Sequence, residues 1–157
     1  MSLGARLFRI VSRTATTLYR IFPIYGHLPG AIGIIRRGEK FVVIDRSDGF
    51  GLAFPGGLAR KKEDPVETLW REVEEETGLV VSSSALRFSY NDESLYPIET
   101  YVFEAQANGH MRGSWEGEVK LVTFEELRTG IIVSQRQAVE WIEKQTAQSA
   151  GTTKGTE

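Results

Sequence analysis

Residues Gly57 to Leu79, GLARKKEDPVETLWREVEEETGL, contain a helix whose limits are written in its own residues. Asp64 is a strong N-cap, Pro65 suits the first helical position, and Glu67, three residues after the cap, closes a capping box. Gly78 supplies a left-handed stop. Between these limits Val66, Leu69, Trp70 and Val73 recur at helical spacing, so one stripe, Trp70 included, is expected in the core. Glu72, Glu75 and Glu76 follow at i, i+3 and i+4, which places three carboxylates on one surface away from that stripe.

Three like charges at this spacing destabilise a bare helix. A bound divalent cation reverses the sign, because carboxylate oxygens are what Mg²⁺ or Mn²⁺ takes as ligands. Arg71 lies one turn before Glu75 and Glu63 sits just ahead of the helix, where both can hold the acidic cluster in place. The competing reading is a solvated acidic face. The loop ahead of the helix favours the cation: Pro55, Gly56 and Gly57 form a tight turn whose backbone a ligand can approach closely.

Taken together, the stretch reads G-x5-E-x7-R-E-U-x-E-E-x-G-U, with U apolar, at Gly57, Glu63, Arg71, Glu72, Val73, Glu75, Glu76, Gly78 and Leu79. This resembles the signature of the Nudix hydrolases at every position. The resemblance implies an α/β/α sandwich with a mixed sheet, the signature forming a loop–helix–loop on one side. It implies hydrolysis of the pyrophosphate linkage in a nucleoside diphosphate joined to another moiety, as in ADP-ribose, nucleotide sugars, dinucleoside polyphosphates or nucleoside triphosphates. Mg²⁺ or Mn²⁺ is the implied cofactor. By the same resemblance Glu75 and Glu76 are metal ligands, Glu72 a ligand or water activator, the Gly57 carbonyl a further ligand, and Arg71 and Glu63 orienting partners. The family often recruits one more glutamate from outside the signature. Glu118 and Glu116, in WEGE, lie in that region, and Glu118 is the first choice.

For the substrate, Arg46 leaves a strand close to the signature loop and is a candidate phosphate partner, together with Gly56. Phe50, Tyr96 and Trp115 are the loop aromatics on which a nucleobase would stack. Two rival functions stand beside hydrolysis of a small nucleotide. One is a catalytically silent nucleotide-binding regulator, although such a module has no need of three mutually repelling carboxylates. The other is an RNA 5′-pyrophosphohydrolase, the weaker rival, which needs a basic groove. No DNA partner is expected, and pairing with a second copy stays open.

At 157 residues the chain makes one domain with a sizeable core. Without cysteine, disulfides and thiolate sites are excluded, and two histidines (His27 and His110) make a zinc site a poor reading. No apolar run is long enough to span a bilayer. Residues 1–38 carry no acidic side chain. Wound as a helix at about 100° per residue, Arg6, Arg9, Arg13 and Arg20 cluster on one side, with Leu3, Leu7, Val11 and Leu18 on the other. Residues 1–28 are therefore read as a basic amphipathic arm. It suits docking on its own domain, contact with an anionic membrane, or organelle targeting in a eukaryote. A cytoplasmic location is otherwise expected.

The main domain is expected over 29–146. AIGII and FVVID, parted by RRGEK, read as a hairpin. Residues 80–95 are expected to be irregular, with ALRFSY a strand among them, and IETYVFEA a strand buried on both sides. NGHMRGSWEG is a loop, VKLVTF a last strand and FEEL the start of a short helical turn. Ser134 and Gln137 suggest a second capping box, opening a helix that buries Ala138, Trp141 and Ile142. The tail, residues 147–157, has nothing apolar to pack and is expected to be disordered.

Overall fold

The computed structural model describes residues 28–92 and 97–152. The N-terminal arm up to His27, the candidate Tyr96 and residues 153–157 lie outside the described residues. The expected hairpin forms from β1 (Leu28–Arg37) and β2 (Lys40–Arg46), turning at Gly38, whose φ of 61° suits glycine. Only the tip pairs, at Arg36↔Phe41 and Arg37↔Lys40. Beyond it the strands part and recruit separate neighbours. β1 pairs in parallel with β6 (Ile98–Asn108) and antiparallel with the short β4 (Gly56–Leu58). β2 pairs antiparallel with β3 (Leu52–Ala53) and β7 (Gly117–Val122). β5 (Val80–Asp92) closes the far side against β6. The result is a mixed sheet.

β1 and β2 read as unbroken apolar runs because both of their faces are buried. Ile32, Ile34, Phe41 and Val43 join Val102, Leu127, Ala138, Val139 and Ile142 in one core cluster. Ala31, Ile35 and Val42 join Leu69, Val73, Leu79, Phe103 and Ala105 in another. The first cluster lies under α2 (Phe124–Gly130) and α3 (Arg136–Thr152), the second under α1 (Pro65–Thr77). Helices on both faces of a mixed sheet give the expected α/β/α sandwich. β6 is buried in part on both faces, as the sequence suggests, with Val102 in one cluster and Phe103 in the other. No helix among the described residues is long and apolar enough to cross a membrane.

Four details differ from the sequence reading. Trp70 is 51% exposed rather than core. The buried stripe runs through Leu69 and Val73, and Trp70 sits on its flank, its Nε1–H donating to Ser84 Oγ at 3.4 Å. The stretch from Val80 is strand throughout, not irregular. Register shifts between Val81 and Ser83 and between Leu86 and Phe88 break its period of two, which is the signal a strand is read by. The Ser134–Gln137 capping box does not form. Ser134 lies within a 3₁₀ turn, Val133–Gln135, and an N-cap needs extended backbone. A capping box closes instead at Thr123 and Glu126, ahead of α2. Finally, α3 continues to Thr152, beyond the point near Thr146 where disorder is expected.

Candidate active site

The signature loop is pinned to β1. Ala31 faces Gly57 and Ile32 faces Gly56 across β1 and β4, while Gly33 N–H donates to the Pro55 carbonyl at 2.9 Å. Gly56 has φ of 151°, and a Cβ there would lie 2.1 Å from the Ala31 carbonyl oxygen. At Gly57 a Cβ would meet Glu72 Oε1 at 2.5 Å, so the Glu72 carboxylate rests where a side chain would otherwise stand. These glycines bring the main chain and the acidic helix into direct contact.

Capping orients α1 as expected. Asp64 Oδ1 accepts from Val66 N–H (3.0 Å) and Glu67 N–H (2.9 Å), and Asp64 N–H donates to Glu67 Oε2 (3.1 Å). Gly78, at φ 70°, ends the helix and donates to the Glu74 carbonyl at 2.9 Å. Arg71 then gathers three carboxylates. Its Nε donates to Glu63 Oε1 (2.7 Å) and its Nη2 to Glu63 Oε2 (2.8 Å), a bidentate pair. Nη1 lies 2.7 Å from Glu72 Oε1 and 3.3 Å from Glu75 Oε2. Glu63 also accepts from Arg60 N–H (2.8 Å) and Thr68 Oγ1 (3.1 Å), and with Arg71 beside it its pKa falls to about 2. Glu63 and Arg71 therefore tie the acidic helix to the loop, Arg71 Nη2 also donating to the Leu58 carbonyl at 3.2 Å.

The carboxylates divide by environment. Glu75 is half-exposed and held by Arg60 at 2.9 Å as well as by Arg71. Glu72 lies under the loop, its pKa raised by burial against the opposing pull of Arg71. Glu76 is buried, at 7% exposure, and its Oε2 accepts from Gly56 N–H at 2.8 Å. Burial first, then the facing Glu116 and Glu72 carboxylates, push its pKa up to about 8 against the stabilising Gly56 bond.

Glu116 is the fourth carboxylate, and here the structure corrects the sequence. Glu118 is 76% exposed at its side chain and lies 3.5 Å from Lys120. Glu116 instead shares a hydrogen bond with Glu76. The reason is that Glu118 lies within β7 opposite Asp45, whereas Glu116 precedes the strand in a loop that is free of its pleat, its carbonyl accepting from Ser47 N–H at 2.9 Å. The sequence holds no cue that separates the two.

Glu76 and Glu116 line a cavity of ≈ 60 Å³ with Arg46, Asp48, Gly56 and Gln135. Arg46 is engaged by Asp48 through Nε (3.1 Å) and Nη2. Clefts open on either side. One, of ≈ 160 Å³, shares Gly56 and Gln135 and adds Tyr90, Asp92 and Thr100. The other, of ≈ 510 Å³, shares Arg46 and adds Trp115. Phe50 and Trp115 are each 70% exposed, and Ser47 ties their loops by donating to the Trp115 carbonyl at 3.4 Å. Gln135, Tyr90 and Asp92 carry no motif, and only folding brings them here. A larger depression, ≈ 930 Å³, lies away from this site, lined by the β1–β2 turn and by β5 and β6, so size does not mark the site.

Among the described residues no three acidic or histidine side chains already form a ligand set for a metal. The donor chemistry nevertheless suits a hard dication. Glu72, Glu76 and Glu116 repel one another, Glu76 is buried, and of the three only Glu72 is in a direct ion pair with arginine, Arg46 acting on Glu76 and Glu116 from across the cavity. In chelator-treated protein this predicts a pH signature. Because the Glu76 pKa rises on folding, its contribution to stability is full below about 4.5 and is lost as pH rises toward about 8. A thermal-melt series from pH 5 to 8 should therefore slope downward in that window, and Glu76→Gln should flatten it.

Fold and site together define an α/β/α phosphoanhydride hydrolase, its glycine loop and acidic helix packed against one sheet. The model of the NUDIX domain matches residues 26–142, three quarters of the chain, and the chain belongs to the Nudix family as a pyrophosphohydrolase. Among solved structures it is similar to the MutT Nudix hydrolase from Burkholderia pseudomallei (19% identity, 74% of this chain and 98% of that one, TM-score 0.65). It is also similar to the MutT protein from Methanosarcina mazei (21%, 78% and 97%, TM-score 0.63). The E. coli ORF135 protein is a third (20%, 80% and 95%, TM-score 0.69). At these identities the likeness establishes the fold. No curated protein matches the sequence.

Proposed function

We propose that the chain hydrolyses the pyrophosphate linkage of a nucleoside diphosphate joined to a second moiety, in a reaction that depends on Mg²⁺ or Mn²⁺. The observation that carries this reading is Glu76, buried and bonded to Gly56, with the half-buried Glu116 and Glu72 acting on it. Glu72, Glu76, Glu116 and the Gly57 carbonyl would hold the metal, and Glu75 would join them on release from Arg60 and Arg71. When bound, the dication supplies charge compensation for phosphoryl oxygens and acidity for an attacking water.

The chain's own groups position the rest. Arg71, bonded to Glu63 and Glu72, keeps the helix carboxylates against the loop. Arg46, bonded to Asp48, lines the cavity with Glu76 and would meet a phosphate there. Phe50 and Trp115 offer exposed ring faces on which a nucleobase stacks. Glu76, whose pKa burial raises to about 8, is in its ionised form a stronger base than an ordinary carboxylate and so suited to accept a proton from water.

The test is a screen with added Mg²⁺ or Mn²⁺ over nucleotide sugars, dinucleoside polyphosphates, ADP-ribose and nucleoside triphosphates, paired with calorimetric titration of the metal. Turnover together with metal uptake supports the reading. No uptake, with or without nucleotide, overturns it. Within the same assay Glu116→Gln should lower metal affinity about 10- to 100-fold and turnover with it. Glu118→Gln should leave both within about threefold, as a solvated surface change does.

A further inference from the structure

The sheet keeps one strip uncovered beside α1. Among the described residues β5 pairs with β6 alone. On the face that α1 covers, the pairings Ser84↔Ala105, Leu86↔Phe103 and Ser89↔Tyr101 set Ser84, Leu86 and Ser89 next to the cluster of Phe103 and Ala105. α1 reaches this strip with Trp70, bonded to Ser84. Trp70 and Leu86 are 51% and 52% exposed, so the helix leaves an apolar surface open along the outer strand.

Carboxylates surround that surface. Glu67 and Glu74 lie on exposed positions one turn to either side of Trp70. Glu99 accepts from Ser89 Oγ at 3.4 Å and shares a hydrogen bond with Tyr101. Arg87, the basic residue of β5, pairs with Glu104 on the opposite face, at 2.7 Å.

We propose that residues 1–27 of this chain dock on the strip formed by Trp70, Leu86 and Tyr101. The described chain begins at the right place. Leu28 N–H donates to the Pro97 carbonyl at 2.8 Å and Leu28 pairs with Ile98, so the described chain starts at the end of β6 from which Glu99 and Tyr101 follow one and three residues on. Its composition is complementary as well. Leu3, Leu7, Val11, Leu18, Ile21, Phe22 and Ile24 supply apolar surface, and Arg6, Arg9, Arg13 and Arg20 supply charge without a single acid. Every acidic residue of the chain lies from Glu39 onward. The reach suffices: 27 residues wound as a helix extend about 40 Å, against roughly 43 Å for a strand of the length of β5. Apolar side chains of the segment cover Trp70 and Leu86, and the long arginine stems carry their guanidinium groups to Glu67, Glu74 and Glu99.

Trypsin cleaves after arginine, so the rate of cutting after Arg13 and Arg20 in the full chain reads the docking directly. Trp70→Ser combined with Leu86→Ser should speed this cutting at least about tenfold while the unfolding midpoint of the body is kept. Glu74→Lys combined with Glu99→Lys, which leaves the apolar surface intact, should act in the same direction, as should high salt on the parent. A disulfide between Leu18→Cys and Leu86→Cys, in a chain otherwise free of cysteine, should form within the monomer. Equal cutting of parent and both variants overturns the proposal. So does protection that fades on dilution, which assigns the strip to a second copy, or protection that appears only with anionic lipid vesicles, which assigns the segment to a membrane.

Discussion

Glu76→Gln should lower turnover by about 10²- to 10³-fold, the scale of loss when one electrostatic contributor to charge stabilisation is removed, while the fold persists. The amide preserves the volume, and its carbonyl oxygen can still accept from Gly56 N–H, the bond that joins the C-terminal half of α1 to the loop. What disappears is a buried negative charge that Glu116 and Glu72 repel and that Arg46, itself bonded to Asp48, offsets only in part. The variant should therefore melt no lower than the parent in chelator, and higher near pH 8, where the parent carboxylate is forced toward ionisation. In the presence of Mg²⁺ the order should reverse, because the metal stabilises only the state that binds it. Steady-state kinetics and melts with and without metal check both halves. Turnover within about threefold of the parent would remove Glu76 from the role assigned to it.

Gly56→Ala should be the most damaging small substitution in the molecule. Its Cβ would lie 2.1 Å from the Ala31 carbonyl oxygen, a backbone atom that cannot swing aside, and φ of 151° is foreign to any residue with a side chain. Relief requires β4 to lift from β1, which breaks the Ile32↔Gly56 pairing and withdraws the N–H that Glu76 accepts from. Steric overpacking and backbone strain each cost about 1–3 kcal/mol. The sum, roughly 2–6 kcal/mol, should appear as a drop in the denaturation midpoint accompanied by loss of activity. Gly57→Ala is the control. Its nearest atom would be Glu72 Oε1, at the end of a side chain that can move. That variant should lose less stability, with its defect concentrated in activity because the displaced group is Glu72 itself.

The sequence was most informative where interactions are local. The capping box at Asp64 and Glu67, the stop at Gly78 and the hairpin turn at Gly38 all form as read, since each depends on residues within four positions of one another. Arg71 and Glu63, eight positions apart, were legible through the signature rather than through local bonding. Trp70 shows the limit of periodicity. Helical spacing selects a stripe, but the width of the stripe that is covered depends on how far the neighbouring sheet extends beneath it. Here the sheet buries Leu69 and Val73 and leaves Trp70 half exposed at its margin.

By itself the sequence determined the type and limits of the acidic helix, the glycine loop ahead of it, the hairpin of β1 and β2, the two-sided burial of β6, and, through the first two, the family. Only the tertiary structure decided which distant groups meet that helix. Glu116 rather than Glu118 faces Glu76, Asp48 holds Arg46, and Gln135 arrives from a turn far along the chain. The reason is physical: caps, turns and periodicity are set by bonds between near neighbours, whereas the loop before β7 reaches the site through strand pairing whose register no short stretch of sequence encodes.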